Sequence, residues 1–280
     1  MKMNKVKKFI VISLLTPALF GCGNAKMRNP NFKKTGTQVS LDLFKYKLNN
    51  RLSAANTITS DKKLNLSKGF KLNFSSQAKT KYMSEGPVSF TSYTEVSGKM
   101  LYDSFNSRFR LDANTKTYTV NNLKNEDSSK DIKEGATYSK QRLYGEDSIN
   151  GSYIFDLDFK TATKTNFNMT SDILPDAIDS LIFLSTFSES SYSSYSAYIK
   201  NDKIFTLVYR ESFNTYRTEI TYQLIFENGL HILMKEEMYN ESNDYKQFIT
   251  YYMDAKLKPA NTHIHKINFD TSQITPNIES

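Results

Sequence analysis

Hydrophobic and polar residues alternate along much of this chain, which is the pattern of strands that bury one face. In residues 70–74 each apolar side chain is followed by a polar one, and the same period continues in places to residue 160. The alternation returns after residue 195, where Asn228-Gly229 predicts a hairpin turn between two strands. One apolar and one solvated face indicate an antiparallel sheet.

Two segments have the three-to-four residue spacing of helices. Residues 39–56 carry an apolar stripe formed by Leu41, Phe44, Leu48, Leu52 and Ala55. We interpret this helix as packed on its own domain, with a membrane-surface helix as the alternative because basic residues flank the stripe. Residues 170–187 are apolar around most of the helix circumference, so this second helix is expected to be buried or to cover an apolar surface.

The order of elements is therefore a helix, several strands, a buried helix and a long set of hairpins. An antiparallel sheet of about eight to eleven strands is expected to curl rather than stay flat. The sequence predicts a mostly β domain of the α+β class, in which a curved antiparallel sheet forms a half-barrel covered by helices.

The N-terminus has the organisation of an export signal, with four lysines before a short apolar run. The run from residue 9 to residue 20 is shorter than the roughly 20 residues that a membrane-spanning helix needs. It ends in Leu19-Phe20-Gly21-Cys22, which resembles the lipobox of bacterial lipoproteins, although Phe20 is bulkier than the usual residue. The resemblance implies that residues 1–21 are a signal peptide and that Cys22 carries a diacylglycerol and palmitate anchor.

Cys22 is the only cysteine in the chain, so an exported form cannot make an internal disulfide. The alternative is an ordinary signal peptide with a coincidental cysteine nearby. Residues 1–21 contain four lysines and no acidic residue, so removing them lowers the net charge from +8 to +4. The remaining lysines are spread among acidic residues, which does not indicate nucleic-acid binding, although the charge favours an anionic membrane surface.

The chain divides into three parts after the signal. Residues 22–38 are polar and are predicted to be a flexible tether. Residues 39–257 form a single domain, and residues 258–280 are a polar C-terminal tail.

A family resemblance lies in the order of elements and in the apolar pattern. Gly98-Lys99-Met100 leads into residues 108–112, a strand at 151–159 precedes Leu174-Pro175, and the hairpin at 226–230 precedes the strand at 245–256. Over residues 40–257 this resembles the LolA-like fold of periplasmic lipoprotein carriers and of lipid-binding lipoproteins of the LppX and LprG kind. The resemblance implies a cavity for acyl chains and no catalytic residues.

A curved sheet lined by apolar side chains gives the concave apolar surface that is typical of ligand pockets. Each acyl methylene buried there would contribute about 0.8 kcal/mol. The alternative is that these residues fill the core. The candidate cavity-lining residues are Phe105, Phe109, Leu111, Tyr153, Phe155, Leu157, Phe159, Leu174, Ile178, Leu181 and Ile182.

The sequence lacks the common motifs of catalysis, such as G-x-S-x-G and the P-loop. His263 and His265 would lie on the same side of a strand, but we interpret them as part of a polar segment and predict no metal site. Asp156 and Asp158 are interpreted as a solvated sheet face rather than as an acid–base pair.

The sequence therefore predicts a non-enzymatic lipoprotein without a cofactor. It is anchored to the cell membrane or outer membrane, faces the periplasm or the cell exterior, and binds lipid, acyl chains or an acylated protein. Transport of envelope lipids or lipoproteins is the role that the resemblance implies. The alternative is a surface-exposed or envelope-structural lipoprotein that mediates protein interaction without a ligand cavity.

Overall fold

The computed structural model describes residues 27–54, 69–84, 88–123, 132–133, 136–148, 151–165, 180–181, 183–184, 187, 192–242, 245–268 and 275–276. This part of the chain is mostly β, with one helix of 14 residues, α1 (Leu41–Ala54). The strands are β1 (Thr37–Val39), β2 (Phe70–Ser84), β3 (Val88–Asp103), β4 (Arg108–Leu123), β5 (Ile132–Lys133), β6 (Thr137–Ser148), β7 (Gly151–Asp156), β8 (Thr161–Thr165), β9 (Ser193–Lys200), β10 (Ile204–Phe213), β11 (Tyr216–Phe226), β12 (Leu230–Glu241), β13 (Tyr245–Pro259) and β14 (Thr275–Pro276).

All the strands belong to one sheet. Their order is β1-β9-β10-β11-β12-β13-β2-β3-β4-β6-β7-β8-β14, and β5 pairs with β4. Every pair is antiparallel except β8 with β14, and among the described residues the sheet is not closed. The pairing of β13 with β2 joins the first and last thirds of the chain. The mostly β, α+β class predicted from the alternation is confirmed.

Two hairpin turns lie where the sequence predicts them, one at Asn228-Gly229 and one at Asn201-Asp202, which also interrupts the alternation after residue 195. Asn228 and Gly229 both have positive φ between β11 and β12, a conformation that glycine adopts without strain. Asn201 and Asp202 also have positive φ between β9 and β10. Short polar side chains tolerate this conformation better than other residues do, which places both turns where the alternation stops.

The continuous register gives the sheet two different faces. The face against which α1 packs, called the helix-bearing face, carries apolar residues in aligned rows, such as Leu72, Met100, Leu111 and Leu257. The opposite face, called the charged face, carries the intervening positions, such as Lys71, Arg110, His231, Lys256 and Lys258. This division follows from the period of two in each strand.

Helix α1 packs on the sheet of its own domain, as the sequence predicts. The Ser40 hydroxyl accepts a hydrogen bond from Leu43 N at 3.3 Å and so caps the first turn. Phe44, Leu48 and Leu52 are buried against the helix-bearing face. The Phe44 ring lies 5.9 Å from the ring of Phe205 on β10.

Most of the second predicted helix lies outside the described residues. Four positions within it, 180, 181, 183 and 184, are helical, and Phe187 N donates a hydrogen bond to Phe183 O. Leu181, Leu184 and Phe187 are buried in the same core as α1. These described residues therefore contact the helix-bearing face directly.

Two predicted strands are shorter than the alternation indicates. The alternation of residues 105–112 predicts a strand from Phe105, but β4 starts at Arg108, and β7 ends at Asp156 rather than near residue 159. In each case an aspartate ends the regular strand: Asp103 Oδ1 accepts the N–H groups of residues 105 and 106, and Asp156 Oδ1 accepts those of residues 158 and 159. Such side-chain turns override a pattern of alternation.

The segment before α1 lies on the sheet, although the sequence predicts a flexible tether over residues 22–38. Arg28 N donates to Gln77 Oε1 at 2.7 Å, and Lys33 N donates to Gln223 Oε1 at 2.6 Å. Phe32 packs beside a small cluster on the charged face, and β1 pairs with β9 at the sheet edge. Residues 27–38 therefore cross the charged face and turn around this edge to reach α1.

The segment after β13 also lies on the sheet. Ile264 N donates to Asp103 Oδ2 at 2.9 Å, and Arg108 Nη1 donates to Ile264 O at 3.1 Å. The predicted polar tail, residues 258–280, thus begins within β13 and continues as a segment held by β3 and β4, while β14 pairs with β8.

Candidate ligand-binding surface

Three of the predicted cavity residues come together in the core. Phe109, Leu111 and Leu181 belong to one cluster and are 1%, 6% and 0% exposed. Their side chains are packed by neighbouring apolar groups and fill space between the sheet and its described cover. In the described part of the chain all three are buried core residues.

The other described candidates lie elsewhere. Tyr153 and Phe155 pair with Glu146 and Tyr144, so they lie on the charged face, opposite to Phe109. The remaining described candidates are in turns: Phe105 is 93% exposed, Phe159 is 64% exposed, and Leu157 N bonds Arg142 O. Cys22, Leu174, Ile178 and Ile182 lie outside the described residues. The described members of the predicted set therefore lie on both faces of the sheet and in its turns, and the cavity itself stays a prediction.

Over β9 to β11 the helix-bearing face is covered by tightly packed aromatic rings. Phe183 lies 5.5 Å from Tyr222 and 6.1 Å from Tyr209 between ring centroids, and Phe187 lies 4.9 Å from Tyr195. Rings at these distances and tilted geometries attract each other beyond their burial. This half of the face is occupied by the chain's own residues.

The same face is different on β2, β3, β4 and β6. In the three rows beyond Phe74, small side chains replace the large apolar ones, and the stacked rings of Tyr82 and Phe90 follow on the same face. These positions, called the Ser/Thr surface, are Ser76, Ala78, Thr80, Ser92, Thr94, Val96, Thr115, Thr117, Thr119, Thr137 and Ser139. They are half-buried or exposed. The register aligns them into a continuous array of hydroxyl and methyl groups.

The Ser/Thr surface adjoins the apolar core directly. Phe74, in the row next to Ser76, is only partly buried although it packs against the core cluster. The surface itself carries no charged residue, and its hydroxyls approach one another, as Thr94 Oγ1 does Thr117 Oγ1 at 3.4 Å. An area of methyl groups with scattered donors and acceptors can contact an apolar ligand and bond its few polar atoms.

Sequence reasoning missed this surface because serine and threonine count as polar positions in an alternating pattern. In β4, Thr115, Thr117 and Thr119 continue the same parity as Phe109 and Leu111. The available signal was therefore that small hydroxyl residues occupy the buried-side positions of neighbouring strands, since threonine favours strands. It becomes visible only once the register is known.

Glutamates and tyrosines border the aromatic half of the face. Tyr209 donates to Glu211 Oε2 at 2.6 Å, and burial together with this carboxylate raises the pKa of Tyr209. Burial, followed by the charge of Glu236, also raises the pKa of Tyr216. These phenols therefore stay protonated at neutral pH and act as hydrogen-bond donors rather than as bases.

A buried polar network lies on the charged face at the other end of the strands. Burial alone would raise the pKa of Asp103, which is 1% exposed, but hydrogen bonds from Ile264, Asn106 and Phe105 together hold the pKa below its usual value. Nearby, the pKa of Tyr144 is raised, first by burial and then by the hydrogen bond that its hydroxyl donates to Glu146. All of these contacts are made between residues of this chain. Those to Ile264 hold the C-terminal segment in place.

The two aspartates and two histidines that the sequence analysis singles out are engaged in contacts within the fold. Asp158 forms an ion pair with Arg142, and Asp156 caps its turn. The rings of His263 and His265 lie 5.0 Å apart, and His263 Nδ1 is 3.8 Å from Asp103 Oδ2. Within the described ranges no group of three or more His, Cys, Asp or Glu residues could hold a metal ion.

Comparisons with known proteins do not place the chain in a family. No family model matches it, and no curated protein is similar to it in sequence. The S-type phycobiliprotein lyase CPES from Guillardia theta is 6% identical, with a TM-score of 0.20 over 66% of this chain and 88% of the other. The translocator domain of autotransporter NalP from Neisseria meningitidis is 8% identical, with a TM-score of 0.26 over 77% and 95%. Similarity at this level carries no functional argument.

In the part of the chain that the structure describes, no helix is both long and apolar enough to cross a membrane.

Proposed function

We propose that this protein is a membrane-anchored, non-enzymatic lipoprotein that binds lipid or acyl chains on its helix-bearing face. The supporting observation is the change from large to small side chains along β2, β3, β4 and β6. Along β2 the core ends at the partly buried Phe74, and the Ser/Thr surface begins in the next row. A bound chain would extend the core outward over this surface.

The energetics support an acyl ligand. Each methylene that moves from water to this surface would contribute up to about 0.8 kcal/mol. The threonine methyl groups supply contact area, while the hydroxyls keep the empty surface compatible with water. We propose that the sheet curves into a half-barrel and that helices cover the ligand there, as in the LolA-like fold.

The proposed anchor is a lipid on Cys22, at the cell membrane or outer membrane, with the domain in the periplasm or at the cell exterior. The motif Leu19-Phe20-Gly21-Cys22 and the apolar run before it support this location. Labelling cells with a radioactive fatty acid tests it, because the label should appear on the protein and disappear in a Cys22→Ala variant. An unlabelled wild-type protein would contradict the anchor.

Ligand binding is tested by a matched pair of substitutions on β4. Thr115 lies on the Ser/Thr surface and is half-buried, whereas the neighbouring Asn114 points to the charged face and is exposed. Thr115→Arg should remove acyl lipids that co-purify with a detergent-free chain of residues 22–280 carrying Cys22→Ser, while Asn114→Arg should retain them. Mass spectrometry of the extracted lipid gives the stoichiometry.

The outcomes distinguish a lipid-binding protein from one that has no lipid ligand. Lipid retained in both variants, or absent from the parent protein even after lipid is added, would overturn the proposal. Thermal unfolding of each variant establishes that it is folded. Leu181 is a poor site for this test because it is fully buried, so an arginine there would disrupt the core itself.

The alternative is a lipoprotein that mediates protein interaction. One observation favours it: Tyr192 and Phe213 are 57% and 48% exposed and their rings lie 5.0 Å apart, which forms an aromatic pair at the surface. Exposed aromatic clusters are common in interaction sites. A photocrosslinking residue at position 213 should then capture a specific partner in cells, whereas one at the isolated and exposed Phe105 should not.

A further inference from the structure

The two faces of the sheet differ sharply in charge. On β2, β3, β4 and β13 the charged face carries ten basic and four acidic residues, whereas the helix-bearing face of the same four strands carries none in the described ranges. The mild positive charge of the chain is therefore concentrated on one side of these strands. A one-sided distribution of this kind creates a directional electrostatic field.

Within this face, lysines alternate with tyrosine rings. Lys79 Nζ lies 5.5 Å from the centre of the Tyr93 ring, which stacks at 4.7 Å on Tyr118. Lys116 Nζ lies 5.9 Å from the centre of Tyr118 and 5.6 Å from that of Tyr138. The Lys–Tyr patch is defined by Lys79, Lys81, Tyr93, Lys116, Tyr118 and Tyr138.

The N-terminal segment enters the described fold beside this patch. Arg28 N is bonded to the side chain of Gln77, which precedes Lys79 by two residues on the same face of β2. Gln77 is also in register with Glu95, and Glu95 with Lys116. Five residues separate Cys22 from Arg28, so the chain allows the proposed anchor to lie at most about 22 Å from Arg28.

We propose that the Lys–Tyr patch docks on the anionic surface of the lipid bilayer that holds the anchor. The attachment at Cys22 is part of the proposed function, whereas the affinity of the patch for anionic lipid is a property of the folded domain. Lysines near such a surface are attracted to acidic headgroups, and tyrosines favour the interface between water and hydrocarbon. The nearby Glu95 bonds Gln77, and Glu237 pairs with Lys235, so both acidic groups have partners within the face.

This docking gives the domain a defined orientation. The Lys–Tyr patch of the charged face lies against the bilayer, and the helix-bearing face, with its Ser/Thr surface, points away from it. A ligand on that surface would then be exchanged with a partner above the membrane rather than taken directly from the bilayer beneath.

The test uses a chain of residues 22–280 with Cys22→Ser, which keeps every residue that the structure describes. Its binding to vesicles of phosphatidylcholine alone is compared with binding to equal parts of phosphatidylcholine and phosphatidylglycerol. The triple variant Lys79→Gln/Lys81→Gln/Lys116→Gln should lower the partition coefficient on the acidic vesicles about 100-fold, because each basic residue contributes about fivefold. The control variant Lys47→Gln/Lys160→Gln/Lys203→Gln removes the same charge elsewhere and should bind like the parent.

Each result supports or overturns the docking. Equal binding of the two triple variants to acidic vesicles, or binding of the parent to neutral vesicles alone, would overturn it. A patch that binds a single-stranded DNA oligonucleotide but no acidic vesicle would assign it to nucleic acid instead. Acyl lipid co-purification is measured on the same variants and should be unchanged, so failure of the patch and failure of the proposed ligand site are distinguishable.

Discussion

The two halves of the helix-bearing face belong to one sheet but carry different side chains and differ in what packs against them. On β9 to β13 the face carries large apolar side chains, such as Phe205, Leu207 and Ile232, which are nearly or fully buried beneath α1 and the described residues of the second predicted helix. On β2, β3, β4 and β6 it carries the Ser/Thr surface, whose side chains are half-buried or exposed. The difference shows that strand alternation fixes which face a residue occupies but not what packs against it.

The comparison also separates two ways of stabilising a large open sheet. The β9 to β13 half buries apolar surface beneath its own helical cover. The β2 to β6 half belongs to the same core only at the end of its strands that carries Leu72 and Met100. On its charged face it is also held by the C-terminal segment, through Asp103 and Arg108. Most of the stability of the fold should therefore come from the β9 to β13 half of the sheet.

The strongest test of this difference substitutes one residue in each half. Leu207→Ala removes a fully buried side chain from β10 and should lower the free energy of unfolding by about 2–5 kcal/mol. Thr94→Ala, on the Ser/Thr surface, should change it by about 0.5 kcal/mol or less, because the position is half-buried. Chemical denaturation of both variants measures this. Similar losses in the two variants would show that the two halves are packed alike.

The sheet itself could be predicted from the sequence because its signal is local. The alternation in residues 70–74 and the turn at Asn228-Gly229 need no knowledge of distant contacts, and both describe the structure. The strand ends at Asp103 and Asp156 could not be predicted from apolar spacing, since aspartate side chains bond the following N–H groups and stop the pattern there.

The terminal segments show the limit of composition as a guide. Residues 27–38 and 260–268 are polar, which predicts a tether before the domain and a tail after it, yet each segment is held by hydrogen bonds to residues far away in sequence. Gln223, which is fully buried, bonds the backbone of Lys33 across 190 positions. The candidate site was missed for a related reason, because the Ser/Thr surface exists only through the alignment of separate strands.

The packing of the core beneath the β2 to β6 half can be tested at a close contact on β6. A Cβ added to Gly145 would overlap the ring of Phe109, which is buried in the core. Gly145→Ala should therefore destabilise the fold by about 1–3 kcal/mol through overpacking. The double variant Gly145→Ala/Phe109→Leu should recover part of that loss in thermal unfolding. No recovery would mean that the cost arises in the backbone rather than at the ring.

The attachment of the C-terminal segment to the β2 to β6 half of the sheet depends on the charge of Asp103. Asp103→Asn should cost about 1–3 kcal/mol, because a buried amide cannot accept all the hydrogen bonds that the carboxylate accepts. The pKa of Asp103 is lowered in the folded state, so its contribution is fully present above the usual aspartate pKa and is lost as the pH falls through the folded value. Limited proteolysis between pH 3 and pH 7 should show release of the segment only at the acidic end.

The matched control is Asp158→Asn, whose partner Arg142 lies at the surface. This variant should leave the proteolysis of the C-terminal segment unchanged at every pH. Equal sensitivity of the two variants would indicate a general effect of acid rather than the loss of the bonds to Ile264.

The smallest expected effect comes from the exposed ion pair between α1 and the β9–β10 turn. Lys47 Nζ lies 2.8 Å from Asp202 Oδ1, but the two side chains are 39% and 67% exposed, so water and salt weaken their attraction. Lys47→Ala should cost less than about 1 kcal/mol, and that cost should vanish in high salt. Because α1 is held by Phe44, Leu48 and Leu52, a loss as large as that of Leu207→Ala would show that charge rather than apolar burial keeps the helix on its half of the sheet.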